Sequence, residues 1–147
     1  MQLRALKCVE YVDLYTLMRK EDFPDTPMSF DEAKQSFDNC ICYGKFSEKG
    51  QLQAAFIFGD ITLESAFVDI VCCHCLRGKW ATKKTMKWLI LTAFKYLDLD
   101  YVWINPRRPE SVNLATKIGF EYVYGLDESC AVTMVLAKNK ALKKYFK

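Results

Sequence analysis

No apolar run in this 147-residue chain approaches the roughly 18 to 20 residues that a membrane-spanning helix needs. The N-terminus also lacks the apolar stretch and small-residue cleavage site of a secretory leader. Membrane partners are therefore not expected, and a cytoplasmic location is. No internal repeat, linker or low-complexity stretch interrupts the chain, so a single domain over residues 1–147 is the expected organisation. Net charge is small, +3, which argues against a protein that works by bulk charge. Histidine is nearly absent: His74 is the only one, and imidazole chemistry near neutral pH would rest on it alone.

What is present is an ordinary globular composition, 51% hydrophobic and 27% charged, enough to build one sizeable core. The cysteines number seven, an odd count that in a cytoplasmic protein reads as reduced thiols packed like small hydrophobes. Lysines are unevenly placed. Lys79, Lys83, Lys84 and Lys87 cluster mid-chain, and Lys138, Lys140, Lys143, Lys144 and Lys147 crowd a basic tail or terminal helix over 138–147. Such patches suit phosphate-bearing ligands or nucleic acid, or are simply a solvated helix face.

Periodicity predicts a strand over Leu3 to Val9 and a helix over Tyr11 to Lys20, with Val12, Leu14, Tyr15, Leu17 and Met18 available for burial. Ser29 followed by Glu32 is a capping-box pattern opening a helix over Phe30 to Phe37. Asn39 to Phe46 and Gln51 to Phe58 read as a hairpin around Ser47 to Gly50. A nearly uncharged run from Thr62 to Cys75 suits a central buried strand. Thr82 to Leu97 reads as a helix capped by Thr82, and Tyr101 to Ile104 as a strand parallel to the central one, joined to it by a β-α-β crossover. Ser111 to Ile118 is a further helix, stopped by Gly119. Phe120 to Tyr124 and Cys130 to Leu136 close the sheet as a hairpin. The expected class is α/β (α+β), with a mixed, mostly antiparallel sheet, one parallel pair and flanking helices.

The segment with most chemical content is Ile70-Val71-Cys72-Cys73-His74-Cys75-Leu76-Arg77-Gly78-Lys79-Trp80-Ala81-Thr82. A buried strand there runs through a basic, Gly-containing loop into a helix N-terminus. Outward-pointing N–H groups, the helix dipole, Arg77 and Lys79 together make an anion site suited to a diphosphate.

Strand, Arg-Gly-Lys loop, helix, strand, Ser111 and Lys117-Ile118-Gly119-Phe120, in that order, resemble the GNAT N-acetyltransferase family over the second half of the chain. The form Arg77-x-x-Trp80-Ala81-Thr82 looks like a variant of some GNAT-like sequences, several of them phage or bacterial. The resemblance implies acetyl-CoA as co-substrate, held by the loop Arg77, Gly78, Lys79, Trp80, Ala81 and Thr82. It places the backbone of Ile70, Val71 and Cys72 along the pantetheine arm, one amide polarising the thioester carbonyl. Trp80 stands where the family usually has Gly, and Thr82 where it has Gly or Ala. Arg108 and Ser111 fall beside the coenzyme, Arg108 at the place of a usual Asn. The family's carboxylate base position is Ala66 here; Glu64, two residues back on the same strand face, is the candidate base and Asp69 the runner-up. The family's general-acid Tyr is Ala115 here, leaving water or Ser111 to protonate the thiolate.

The implied reaction is transfer of an acyl group, acetyl above all, from coenzyme A to an amine by direct attack. Glu21 to Met28 and Gly125 to Ser129 are where acceptor specificity is expected, with Asp22 and Asp25 able to attract a cation. Two alternatives stand beside it: a catalytically inactive GNAT-like structural or host-interaction module, as in a phage particle, and a coenzyme-A-dependent enzyme acting on nucleic acid. Cys72-Cys73-His74-Cys75 with Cys40 and Cys42 invites a metal reading, but neighbouring strand residues face opposite ways, so no metal site is expected. The same alternation separates Cys73 from His74 as a nucleophile pair. Trp80, Trp88 and Trp103 resemble a base-stacking set, but their neighbours read as core.

Overall fold

A computed structural model describes residues 2–123 and 132–146. Among these residues seven strands form one mixed sheet, β1 (Gln2–Ala5), β2 (Ile41–Phe46), β3 (Leu52–Gly59), β4 (Ser65–Cys72), β5 (Tyr101–Ile104), β6 (Glu121–Tyr122) and β7 (Met134–Ala137), in the order β1-β2-β3-β4-β5-β7-β6. β4 and β5 are parallel, whereas β1/β2, β2/β3, β5/β7 and β6/β7 are antiparallel. Five α-helices accompany them among the described residues: α1 (Tyr11–Lys20), α2 (Phe30–Asp38), α3 (Lys83–Leu91), α4 (Pro109–Ile118) and α5 (Lys138–Tyr145). The expected mixed sheet with its β-α-β crossover is observed. By internal contacts the chain divides into two compact units, Met1–Gly59 with Asp69–Trp80 and Asp60–Val68 with Ala81–Lys147.

In the first unit, α1 buries Tyr11, Leu14, Leu17 and Met18, three to four residues apart on one face, against Ala33 and Phe37 of α2 and Cys42, Ala55, Ile57 and Val71 of the sheet. Val12, expected in that stripe, is exposed because it lies one residue round the helix from Tyr11. The Ser29 hydroxyl accepts the Glu32 N–H at 3.3 Å and opens α2 as its pattern predicts. The first strand is shorter than expected. It ends at Ala5, and Cys8–Glu10 forms a 3-10 turn because Arg4 clasps Glu10 through two 2.7 Å hydrogen bonds while the Lys7 N–H donates to the same carboxylate.

With only six glycines in the chain, four aspartates among the described residues, Asp22, Asp25, Asp60 and Asp98, take up left-handed backbone at turns. Asp tolerates this region better than most residues because its short polar side chain bonds locally. Asp22 thereby closes α1, where the Phe23 N–H turns back to the Met18 carbonyl at 2.9 Å.

In the second unit, the Thr82 hydroxyl accepts the Thr85 N–H at 3.2 Å and caps α3. The helix continues beyond Leu91 as a π-helical turn, Thr92–Tyr96, inside the span expected to be regular helix. The Asp100 N–H then reaches the Glu64 carbonyl at 2.7 Å, setting β5 beside β4. α4 begins at Pro109, with Arg108 at its N-cap, so Ser111 is not the helix starter but sits within the first turn. Gly119, at φ 123°, ends α4 as expected. The basic tail is the helix α5, tied down by Lys138 on Asp98 at 3.1 Å, Lys140 on Glu121 at 2.6 Å, Lys144 on the Lys117 carbonyl, and the Tyr145 hydroxyl on the Ile118 carbonyl at 3.0 Å. The Gly125 to Ser129 turn lies outside the described residues.

Candidate functional site

The parallel ladder between β4 and β5 comprises Ser65–Tyr101, Ala66–Val102 and Phe67–Trp103, whose aromatic rings meet at 4.5 Å. It goes no further, although β4 runs on to Cys72. Ile70 is half-buried, and Val71 turns its side chain into the core under α1. Burial pushes the Cys72 thiol up to about 11, so at neutral pH it is a protonated packing group rather than a nucleophile.

Beyond Cys72 the chain leaves the sheet sooner than the run to Cys75 suggested. His74–Leu76 forms a 3-10 turn, and Cys73 and Cys75 are joined by a disulfide across it, with Cα atoms 5.5 Å apart. Among the described residues, two cysteines are therefore paired, contrary to the expectation of reduced thiols throughout. The count alone contained no geometry, and here two cysteines two residues apart face one another across a tight turn. His74 itself is exposed on this turn.

Arg77, Gly78 and Lys79 follow, all exposed. Gly78 has φ 76°, and a side chain there would meet nothing within 4 Å, so backbone conformation rather than space calls for glycine. Trp80 turns inward. It is 7% exposed and lies on the Phe56 ring at 5.5 Å. Ala81 is half-buried, and Thr82 caps α3 with an exposed side chain. The first turn of α3 holds no acidic residue and begins with the exposed Lys83 and Lys84. Cations at a helix N-terminus oppose the macrodipole, and a bound anion removes that conflict.

The other candidates are more scattered. Glu64 is exposed immediately before β4, Arg108 and Ser111 are exposed at the start of α4, and Ala115 is buried at 4% exposure. No side-chain hydrogen bond joins Glu64 to Ser111 among the described residues.

Lys45 carries no assignment from the sequence, and Glu21 only that of first residue in the expected acceptor segment Glu21 to Met28. Glu21, at the end of α1, has one carboxylate oxygen (Oε1) that is buried and meets no hydrogen-bond partner among the described residues, and its charge is felt at the Cys72 thiol. Lys45, 3% exposed on β2, donates its ammonium to the Trp80 carbonyl at 3.4 Å, and burial lowers its pKa. The available signal was a lysine in an otherwise apolar strand face. Beside Glu21, the residues Arg19, Asp22, Phe23, Asp25, Thr26 and Met28 line an open cleft of about 400 Å³.

No family model and no curated protein matches the sequence. In three dimensions the chain is similar to the spermidine N-acetyltransferase of Vibrio cholerae. The structure of that enzyme in complex with CoA and spermine superposes with a TM-score of 0.80 at 18% identity, over 96% of this chain and 97% of that one. A point mutant of the same enzyme gives 0.81 at 18% identity, over 98% and 99%. Its dodecameric form in an intermediate state gives 0.79 at 18% identity, over 97% and 96%. The fold is thus the GNAT fold.

Proposed function

We propose that the chain is an acyl-CoA-dependent N-acyltransferase, working in the cytoplasm as one domain over residues 1–147, with acetyl-CoA as co-substrate and an amine as acceptor. The observation that carries this reading is the start of α3: a capped helix N-terminus with Lys83 and Lys84 in its first turn, preceded by the exposed Arg77-Gly78-Lys79. Cations there oppose the helix dipole, and a bound anion such as a diphosphate offsets that opposition. The complex of the Vibrio cholerae enzyme with CoA and spermine supports the same ligand and acceptor classes.

In this reaction the amine nitrogen attacks the thioester carbonyl, the resulting oxyanion takes a hydrogen bond from a β4 amide, and the C–S bond breaks as the amide forms. The nitrogen loses a proton, for which Glu64 is the assigned base. The leaving thiolate gains one from water or Ser111, since Ala115 offers none. The backbone of Ile70 to Cys72 lies along the pantetheine arm, with Arg77, Gly78, Lys79, Trp80, Ala81 and Thr82 on the phosphates and Arg108 on the adenosine side. The cleft lined by Asp22 and Asp25 suits a cationic acceptor.

A second reading, a GNAT-like structural or host-interaction module without transfer chemistry, is favoured by one observation: Ala115 is buried where the family's general acid would stand. The nucleic-acid reading rests on the lysine patches and Arg107-Arg108; within the tail, Lys138 and Lys140 pair with Asp98 and Glu121. Calorimetric titration with acetyl-CoA decides between the first two. Micromolar binding, weakened about tenfold in Arg77→Ala, supports the enzyme. No heat at millimolar ligand leaves the binding module.

A further inference from the structure

We infer that Lys45 is a positioning residue that holds the Trp80–Ala81 peptide in the orientation an anion-binding loop requires, and so compensates for the absence of glycine at position 80. Lys45 is on β2 opposite Ala54, and Tyr43 opposite Phe56, which puts all four side chains on one face of the hairpin. That face is aromatic: Tyr43 meets Phe58 at 5.9 Å, and Phe56 meets Trp80 at 5.5 Å. A methionine would fill the position without the desolvation cost of a buried ammonium, so packing alone does not account for a lysine.

The ammonium reaches 35 residues along the chain to the Trp80 carbonyl. The described chain has no cis peptide, and in a trans peptide the C=O and the following N–H point in opposite directions. With the Trp80 carbonyl turned inward to Lys45, the Ala81 N–H is turned outward, one residue before the Thr82 cap. The indole, packed inward on Phe56, keeps the bulk of Trp80 clear of the same surface. Lys45 and Phe56 together thus produce, from a tryptophan, the outward amide that a glycine loop supplies through backbone freedom. The consequence for cofactor affinity rests on the acyl-CoA reading above; the orientation of the peptide does not.

The test compares wild type, Lys45→Met and the donor-retaining Lys45→Arg. The order parameter of the Ala81 amide is measured by 15N relaxation without ligand, and acetyl-CoA affinity by calorimetry. Lys45→Met is expected to lower the order parameter from about 0.85 toward 0.6 and to weaken acetyl-CoA binding about tenfold, with Lys45→Arg restoring most of both. An Ala81 amide equally ordered in Lys45→Met and wild type overturns the inference. Absence of acetyl-CoA binding in wild type counts against the cofactor reading alone, and the order parameter still decides the role of Lys45. If Lys45→Met does not fold, Lys45→Gln, whose shorter side chain does not span to the carbonyl, is read by the same two measurements.

Discussion

The indole of Trp80 lies against the ring of Phe56, with centroids 5.5 Å apart and planes inclined at 56°. A residue in the middle of an exposed basic loop is therefore one of the buried side chains of the first unit, and loop and core are coupled through it. Truncation of Trp80 to Ala is expected to cost about 3 to 5 kcal/mol, the usual penalty for emptying a buried aromatic site. Urea unfolding measures it. A cost below about 1 kcal/mol would show that the indole does not anchor the loop.

Glu21 holds a buried carboxylate oxygen with no hydrogen-bond partner among the described residues, a burden on the fold. Glu21→Gln, which removes the charge, is expected to stabilise the protein by about 1 kcal/mol. Stability is read from urea unfolding. If stability falls instead, the buried oxygen has a structural partner.

The Arg4–Glu10 pair gives a pH prediction. The guanidinium hydrogen bonds, followed by the Lys7 N–H, hold the Glu10 carboxyl down to about 2 from an ordinary 4.5. Because the folded value is the lower one, the stabilisation is complete above pH 4.5 and is lost as pH falls toward 2. Glu10→Gln is expected to lower Tm at pH 7 by roughly 2 to 5 °C, with the gap to wild type closing over that acid window. A gap independent of pH would mean that the ion pair is not its source.

Much of the architecture was legible because its signals are local. The Ser29 and Thr82 hydroxyls accept backbone N–H groups within three residues, Tyr11–Lys20 shows its helical face in its own spacing, and Gly119 stops α4 through its own φ. The basic loop and the lysines opening α3 were legible for the same reason: helix-end electrostatics involve neighbours in the chain. These the sequence determined by itself.

Tertiary structure decided the rest. Nothing within a few residues of Lys45 reveals that it ends on a carbonyl 35 positions away, nothing near Glu21 marks one of its oxygens as buried and unpartnered, and the cysteine count does not tell which thiols meet. Burial and pairing across the chain depend on which strands lie side by side, and β2, β3 and β4 become neighbours only when loop-closure entropy is offset by a shared core. That is why the loop could be read from its residues, whereas what holds Trp80 in place could be read only from the fold.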